Sequence, residues 1–183
     1  DGGGGGASAQ DAAEYAHAGA VGEGLARGRA QTPRAPPARA AQLLGAAAKG
    51  GTSNLVQVYR YAETIHSKGF VFMDTPGYDP VSMTGLVAGG CNVGVFTTGR
   101  GSVYGCKPAP CIKVATNTAL YNWMEEDMDI NAGTIIDGTE TLHEVGQRIF
   151  DKIITVASGE KTKSELNGIG DEEFQPWFPG AQY

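Results

Sequence analysis

The chain has 183 residues and a net charge of −6, from 14 Lys and Arg against 20 Asp and Glu. That balance argues against a nucleic-acid partner, because neutralising phosphates needs a clustered basic surface, and no apolar run nears the ~20 residues that span a bilayer. Three cysteines (Cys91, Cys106 and Cys111) with no secretory signal argue against a disulfide framework and fit a reducing, cytoplasmic setting.

The first fifty residues contain 27 Gly and Ala and few large apolar side chains. Such a segment buries too little apolar surface to offset a backbone ordering cost of roughly 1–2 kcal/mol per residue. Residues 1–50 are therefore expected to be low-complexity and disordered, and residues 51–183 to form one globular domain. The start at Asp1 is not expected to be a native beginning. Residues 26–49 carry four Arg, one Lys and no acid, the bias of organelle transit peptides, which leaves organelle targeting as an alternative for the segment.

Asn54–Ser67 places Leu55, Val58, Tyr59, Ala62 and Ile65 at helical spacing and predicts an amphipathic helix ending near His66. Phe70–Met73 is a short apolar run of the kind buried on both faces of a parallel sheet. Asp79-Pro80 predicts a helix with Asp79 as its N-cap, running over Pro80–Ala88 to Gly89-Gly90. Asn92–Phe96 predicts a second strand, and Thr97–Pro110 a Gly/Pro-rich loop. A third strand over Ile112–Ala115 and a helix over Thr118–Met124 follow. Ile130–Ile136 reads as another strand-like segment. Thr141 and Glu144 form a capping box ahead of a helix reaching Ala157. Glu160–Tyr183 reads as a polar tail carrying Trp177 and Phe178, packed on the body or on a partner. This alternation predicts a three-layer, Rossmann-like α/β domain with a mostly parallel sheet.

In such folds ligands bind in loops beyond the carboxyl ends of the strands. Here those loops hold most of the reactive side chains. Asp74-Thr-Pro-Gly77 carries the DxxG pattern of a nucleotide-binding loop. However, Gly45-Ala-Ala-Ala-Lys49-Gly-Gly-Thr52 misplaces the lysine of a phosphate-binding loop, and no guanine-specifying NKxD follows. Asp74 and Asp79 flank a Pro-Gly turn, where paired carboxylates can hold a divalent cation or share acid and base duties; the alternatives are a turn for Asp74 and a helix cap for Asp79. Thr97-Thr98-Gly99-Arg100-Gly101-Ser102 is the best anion site, offering close backbone approach, hydroxyls and a guanidinium fork. Its structural alternative is a crossover loop with Arg100 paired to an Asp. Cys106 and Cys111 lack the second pair or histidine that zinc requires, leaving Cys106 as a single-thiolate metal candidate. Lys107 and Lys113 can act as a base where desolvation lowers their pKa, or contact a carboxylate. His17, His66 and His143 are weak catalytic candidates. Asp129-Ile-Asn131-Ala-Gly133 can form a pocket wall.

Six motifs in order, DTPGYDPVSMTG (74–85), FTTGRGS (96–102), GCKPAP (105–110), IKVATN (112–117), EEDMDINAG (125–133) and ASGEKTKSE (157–165), resemble the altronate/galactarate dehydratase family. These are sugar-acid hydro-lyases, and the family includes the large subunit of sulfolactate sulfo-lyase. The resemblance covers about residues 51–183 and corresponds to the C-terminal portion of the family's polypeptide. It implies β-elimination of water from a galactarate- or altronate-type sugar acid to give a 2-keto-3-deoxy acid, with Fe2+ or Mn2+ as cofactor. It also implies a homo-oligomer or association with a small N-terminal-domain subunit. By position, Arg100 and the Thr97–Ser102 backbone would bind a substrate carboxylate. Asp74, Asp79, Ser82 and Thr84 would line the same pocket, with Asn117 in the substrate-binding set. Lys107 and Lys113 would bind a carboxylate or transfer a proton, and Cys91 and Cys111 would pack. A non-catalytic sugar-acid- or partner-binding fragment, or a sulfo-lyase subunit, is the alternative.

Overall fold

The computed structural model describes residues 50–178, so the expectations for residues 1–49, including His17, lie outside the described residues. Strand β1 (Gln57–Tyr59) pairs in parallel with β2 (Val71–Met73), in register from Gln57 opposite Val71 to Tyr59 opposite Met73. Helix α1 (Asp79–Ala88) leads to β3 (Gly94–Thr98), and a loop returns the chain to β4 (Cys111–Ala115). After helix α2 (Thr118–Trp123), β5 (Ile130–Asn131) adds to the far edge of β4. A 3-10 turn (Gly133–Ile135) precedes helix α3 (Leu142–Ala157), and a short helix α4 (Lys163–Leu166) follows.

Every described strand pair is parallel, which makes the chain an α/β protein. The strands form two separate sheets, β1-β2 and β3-β4-β5, rather than one. All five residues of β4 are buried, as expected of a central parallel strand. Its side chains alternate between two cores. Ile112 and Val114 pack with Val93, Ile130 and Val156 beneath α3, whose Ile149 and Ile153 add to that cluster. Cys111 joins Phe96, Tyr104 and Cys106 with Met83 and Leu86 of α1 and Tyr59, Val71 and Met73 of the smaller sheet. The β3-β4-β5 sheet is thus the middle layer, with α3 on one face and α1 on the other.

Several expected elements need correction. The helix expected over Asn54–Ser67 is replaced by β1 and irregular chain. Val56, Val58 and Tyr59 favour an extended strand, β2 offers a parallel edge, and Leu55 and Val58 stay about half exposed instead of forming a buried stripe. Ala62 then takes φ +58, a left-handed conformation that stops any helix there and leaves His66 in a loop. The Tyr59 hydroxyl fixes this loop, donating to Ser67 Oγ at 2.9 Å and accepting from the His66 and Ser67 amides. Asp79 is the first residue of α1, whose N-cap is Tyr78. The Ile130–Ile136 strand shortens to two residues, because the Asn131 side chain accepts the Gly133 amide at 2.8 Å and turns the chain. Part of the polar tail is helical: Thr162 and Glu165 cap α4 reciprocally, as Thr141 and Glu144 cap α3.

Candidate functional site

The carboxyl ends of β3, β4 and β5 lie side by side and are joined by polar groups. Thr98 Oγ1 accepts from the Arg100 amide at 3.3 Å and the Gly101 amide at 3.1 Å, folding the loop back on the strand end. The Thr98 carbonyl accepts from the Thr116 amide and hydroxyl. Asn117 caps α2 by accepting the Leu120 amide at 2.8 Å, and its Nδ2 donates to the Gly99 carbonyl at 3.2 Å. Gly101 sits at φ +98 against Met124 and Leu120, so a side chain there would meet strained backbone and filled space. Asn131 Nδ2 donates to Thr118 Oγ1 at 3.0 Å, and Gly133 presses on the Asn117–Thr118 backbone. These contacts present Arg100 outward: it is exposed, and no acid among the described residues pairs with its guanidinium. Thr97 is exposed, and Thr98 and Ser102 are half-buried. Ser102 Oγ accepts from the Tyr104 amide at 3.1 Å.

Two residues along β4 lies Lys113, whose side chain is fully buried. Its Nζ has no hydrogen-bond partner, and the nearest acid, Asp127 Oδ1, is 3.9 Å away. Burial pushes the amine's pKa below that of an ordinary lysine, opposed by the charges of Asp127 and Asp129. The physical condition set for a lysine base is therefore met at Lys113, inside the core rather than at the surface. Asp129 works on the backbone, accepting the Lys113 amide at 2.8 Å and the Lys163 amide at 2.9 Å. On the same face the Tyr104 hydroxyl is also buried without a partner, and burial raises its pKa. Burial likewise pushes the Cys111 thiol up to about 12 and the Cys91 thiol to about 11, so both remain neutral packing groups, as the resemblance implies.

The other candidates lie apart from this edge. Ser82 and Thr84 are buried in α1: Ser82 Oγ bonds Thr75 Oγ1 at 2.8 Å, and Thr84 Oγ1 accepts the Gln175 amide at 2.8 Å. Lys107 is exposed and paired with Asp171. Cys106 is buried beside Tyr104. Asp79 is half-buried at the start of α1. Asp74 follows β2, its amide donating to the Tyr59 carbonyl at 2.9 Å. It lines an open cleft of about 580 Å³ with Val58, Tyr59, Arg60, Tyr61 and Trp177. Arg60 and Tyr61 had no sequence signal of their own, falling within the misread helix. Asp127 lies within the acidic run 125–129 and has no sequence signal that sets it apart from its neighbours.

The D-galactarate/altronate dehydratase C-terminal family model matches residues 40–182. The chain belongs to that family. Its sequence is 48% identical over 130 residues to galactarate dehydratase (L-threo-forming) of Escherichia coli K12, covering 70% of this chain and 25% of that enzyme. It is 37% identical over 126 residues to altronate dehydratase of Bacillus subtilis 168, covering 68% of this chain and 25% of the relative. The (2R)-sulfolactate sulfo-lyase subunit beta of Chromohalobacter salexigens is 29% identical over 113 residues, covering 62% of this chain and 28% of that subunit. The chain thus spans about a quarter of the length of these relatives.

The Fe2+ or Mn2+ implied by the dehydratase resemblance finds no ready shell here. Among the described residues no group of three or more His, Cys, Asp or Glu side chains converges on one point, and Asp74, Asp79 and Cys106 do not form such a group. No described helix is long and apolar enough to cross a membrane.

Proposed function

We propose that this chain forms the C-terminal domain of a hydro-lyase that removes water from a galactarate- or altronate-type sugar acid, giving a 2-keto-3-deoxy acid. In this reaction the carbon beside the carboxylate loses a proton and its neighbour loses hydroxide. The resulting enol then becomes the ketone. The difficult step is the first, because the carboxylate must accept the electron pair left by the proton. A guanidinium fork stabilises that developing charge when water is excluded. The observation that carries this reading is Arg100: its loop is tied down by Thr98 and Asn117 at the carboxyl ends of three parallel strands, with the guanidinium outward and free of any described acid.

The second reading follows from the relative named as a sulfo-lyase subunit. The same domain would then serve a two-subunit lyase that expels sulfite instead of hydroxide. A chimera separates the two readings: this chain replaces the matching segment of the Escherichia coli galactarate dehydratase, and turnover is followed on galactarate, altronate and (2R)-sulfolactate. The first reading expects galactarate or altronate turnover, reduced at least about 100-fold in kcat/KM by Arg100→Ala. Undiminished turnover in the Arg100→Ala chimera would remove Arg100 from the site, and turnover of sulfolactate alone would favour the second reading.

A further inference from the structure

Helix α3 carries more apolar surface than the sheet covers. Ile149, Ile153 and Val156 pack on the β3-β4-β5 core, and Val145 is buried as well. A second apolar line runs beside that face through Leu142, Gly146 and Phe150, spaced about one helical turn apart. Leu142 is 75% exposed and Phe150 40%, and with His143, Gly146 and Gln147 they line an open groove of about 480 Å³. The two glycines inside described helices differ in what requires them. Gly85 in α1 is needed, because the Tyr61 ring would lie 2.4 Å from any Cβ there. Gly146 has no positive φ and nothing within 4 Å of where its Cβ would stand. Glycine weakens a helix relative to alanine, and no contact within the domain calls for it at this position. What Gly146 offers is a low point between two large apolar side chains, where another backbone can approach closely.

The occupant that fits this line is a second copy of it. Leu142 stands one turn before Gly146 and Phe150 one turn after, so the line is its own complement when reversed. With two α3 helices antiparallel about a two-fold axis at Gly146, the glycines face each other and each Phe150 covers Leu142 of the other copy. Antiparallel helices also oppose their dipoles favourably. The charges suit the same pairing. None of the described residues lining the groove is a carboxylate, on a chain whose net charge of −6 sets two copies against each other elsewhere. The neighbouring acids of α3 are engaged: Glu144 accepts from the Thr141 amide and hydroxyl, and Asp151 from Gln147 Nε2 at 2.8 Å. The two-fold brings the His143 imidazole alongside that Gln147–Asp151 pair of the other copy, a donor beside an acceptor. We propose that the line Leu142–Gly146–Phe150 is the contact surface of a two-fold dimer of this chain. One helix pair buries less than a standard interface of about 1,200–2,000 Å², so the dimer dissociates in the micromolar range. The dimer does not depend on the sugar-acid reading.

Sedimentation equilibrium of the intact chain is expected to show a reversible monomer–dimer equilibrium. Phe150→Glu and Leu142→Glu, both at exposed positions, should each weaken dimerisation at least about 100-fold, or about 2.7 kcal/mol, with the circular dichroism of the parent retained. Gly146→Ala separates the dimer from the fold, because its two effects have opposite sign. The added methyl group should weaken the dimer about tenfold, while the thermal midpoint of the dilute monomer rises through better helix propensity. A chain that stays monomeric throughout the micromolar range overturns the proposal. So does a dimer that both glutamate variants leave intact, or one that Gly146→Ala leaves unchanged or tightens. The competing occupant is the part of the Escherichia coli galactarate dehydratase outside the matched quarter. If a monomeric chain captures that polypeptide and Phe150→Glu abolishes the capture, the face belongs to it and the two-fold dimer is overturned.

Discussion

At the carboxyl ends of β3, β4 and β5 the polar groups satisfy one another in a filled volume, whereas an open cleft lies at the ends of β1 and β2. In the first region Thr98, Asn117, Asn131 and Thr118 spend their hydrogen bonds on backbone and each other, and glycines let the segments touch. In the second, Tyr61 is equally well anchored, and it lines the open cleft with Arg60, Asp74 and Trp177. Both regions are rigid for similar reasons. What differs is whether the rigidity fills a volume or leaves an open cleft beside it. Arg100 thus stands as a single exposed point at the edge of a filled region.

The largest expected effect lies in the filled region. Gly133→Ala would place a methyl 2.1 Å from the Thr118 amide nitrogen and 2.4 Å from the Asn117 carbonyl carbon, and backbone cannot yield as a flexible side chain does. A loss of about 3 kcal/mol in urea unfolding is expected; an unchanged midpoint would show that these strand ends are looser than described.

A smaller effect is expected at Lys113. Lys113→Met keeps the volume and removes a buried amine without a hydrogen-bond partner, while Asp127 keeps its contact with solvent, so stability at pH 7 should rise by about 1 kcal/mol. The pH dependence gives the sign. Burial lowers the folded-state pKa, so the unfolded chain holds the proton more tightly and the charged amine destabilises the fold. That penalty is complete below the folded-state pKa and disappears as pH rises from there to the unfolded value, about 10.4. The stability gap between Lys113→Met and the parent should close over that window. The raised Cys91 and Cys111 thiols pull in the opposite direction but occur in both proteins. A gap that stays constant to pH 11 would mean that the amine is not desolvated.

The smallest effect belongs to the cleft. Tyr61→Phe keeps the ring on Gly85 and loses the hydroxyl between Val81 and Trp177, for about 1 kcal/mol. The sharper readout is acrylamide quenching of Trp177 in a Trp123→Phe background, which should increase as the wall loosens. If quenching does not change, the hydroxyl is not what holds the wall.

Much of the fold can be read from short windows, because its signals are local. Val71–Met73 and Cys111–Ala115 are apolar runs bounded by turns, Pro80 marks a helix start, and Thr141 with Glu144 is a complete cap within four residues. The Arg100 loop is equally local and lies where the strand order places it. The failures have one physical origin: the deciding interaction is far away in sequence. Leu55 to Ile65 fits a helical wheel, and only the partner β2 makes Gln57–Tyr59 extended. Lys113 reads as a pocket lysine until β3, β5 and the Asp127–Asp129 segment enclose it. The division into two sheets has no local signature at all. Ser82 and Thr84 share a motif with Asp74, yet the helix turns their hydroxyls into the packing, where Thr75 and Gln175 use them.

The bond between Trp177 and Tyr61 joins residues 116 positions apart. Closing so long a loop in a free chain costs about 4 kcal/mol of entropy before any fixed initial term, far more than one such bond returns. The contact becomes favourable once the intervening chain has condensed and shortened the effective loop. The cleft is thus an end product of folding: both sheets can form without it, but it cannot form without them. The cleft consequently inherits the cooperativity of the domain, and loosening of α1, where Gly85, Val81 and Thr84 hold Tyr61 and the 175–177 segment, would loosen the cleft with it.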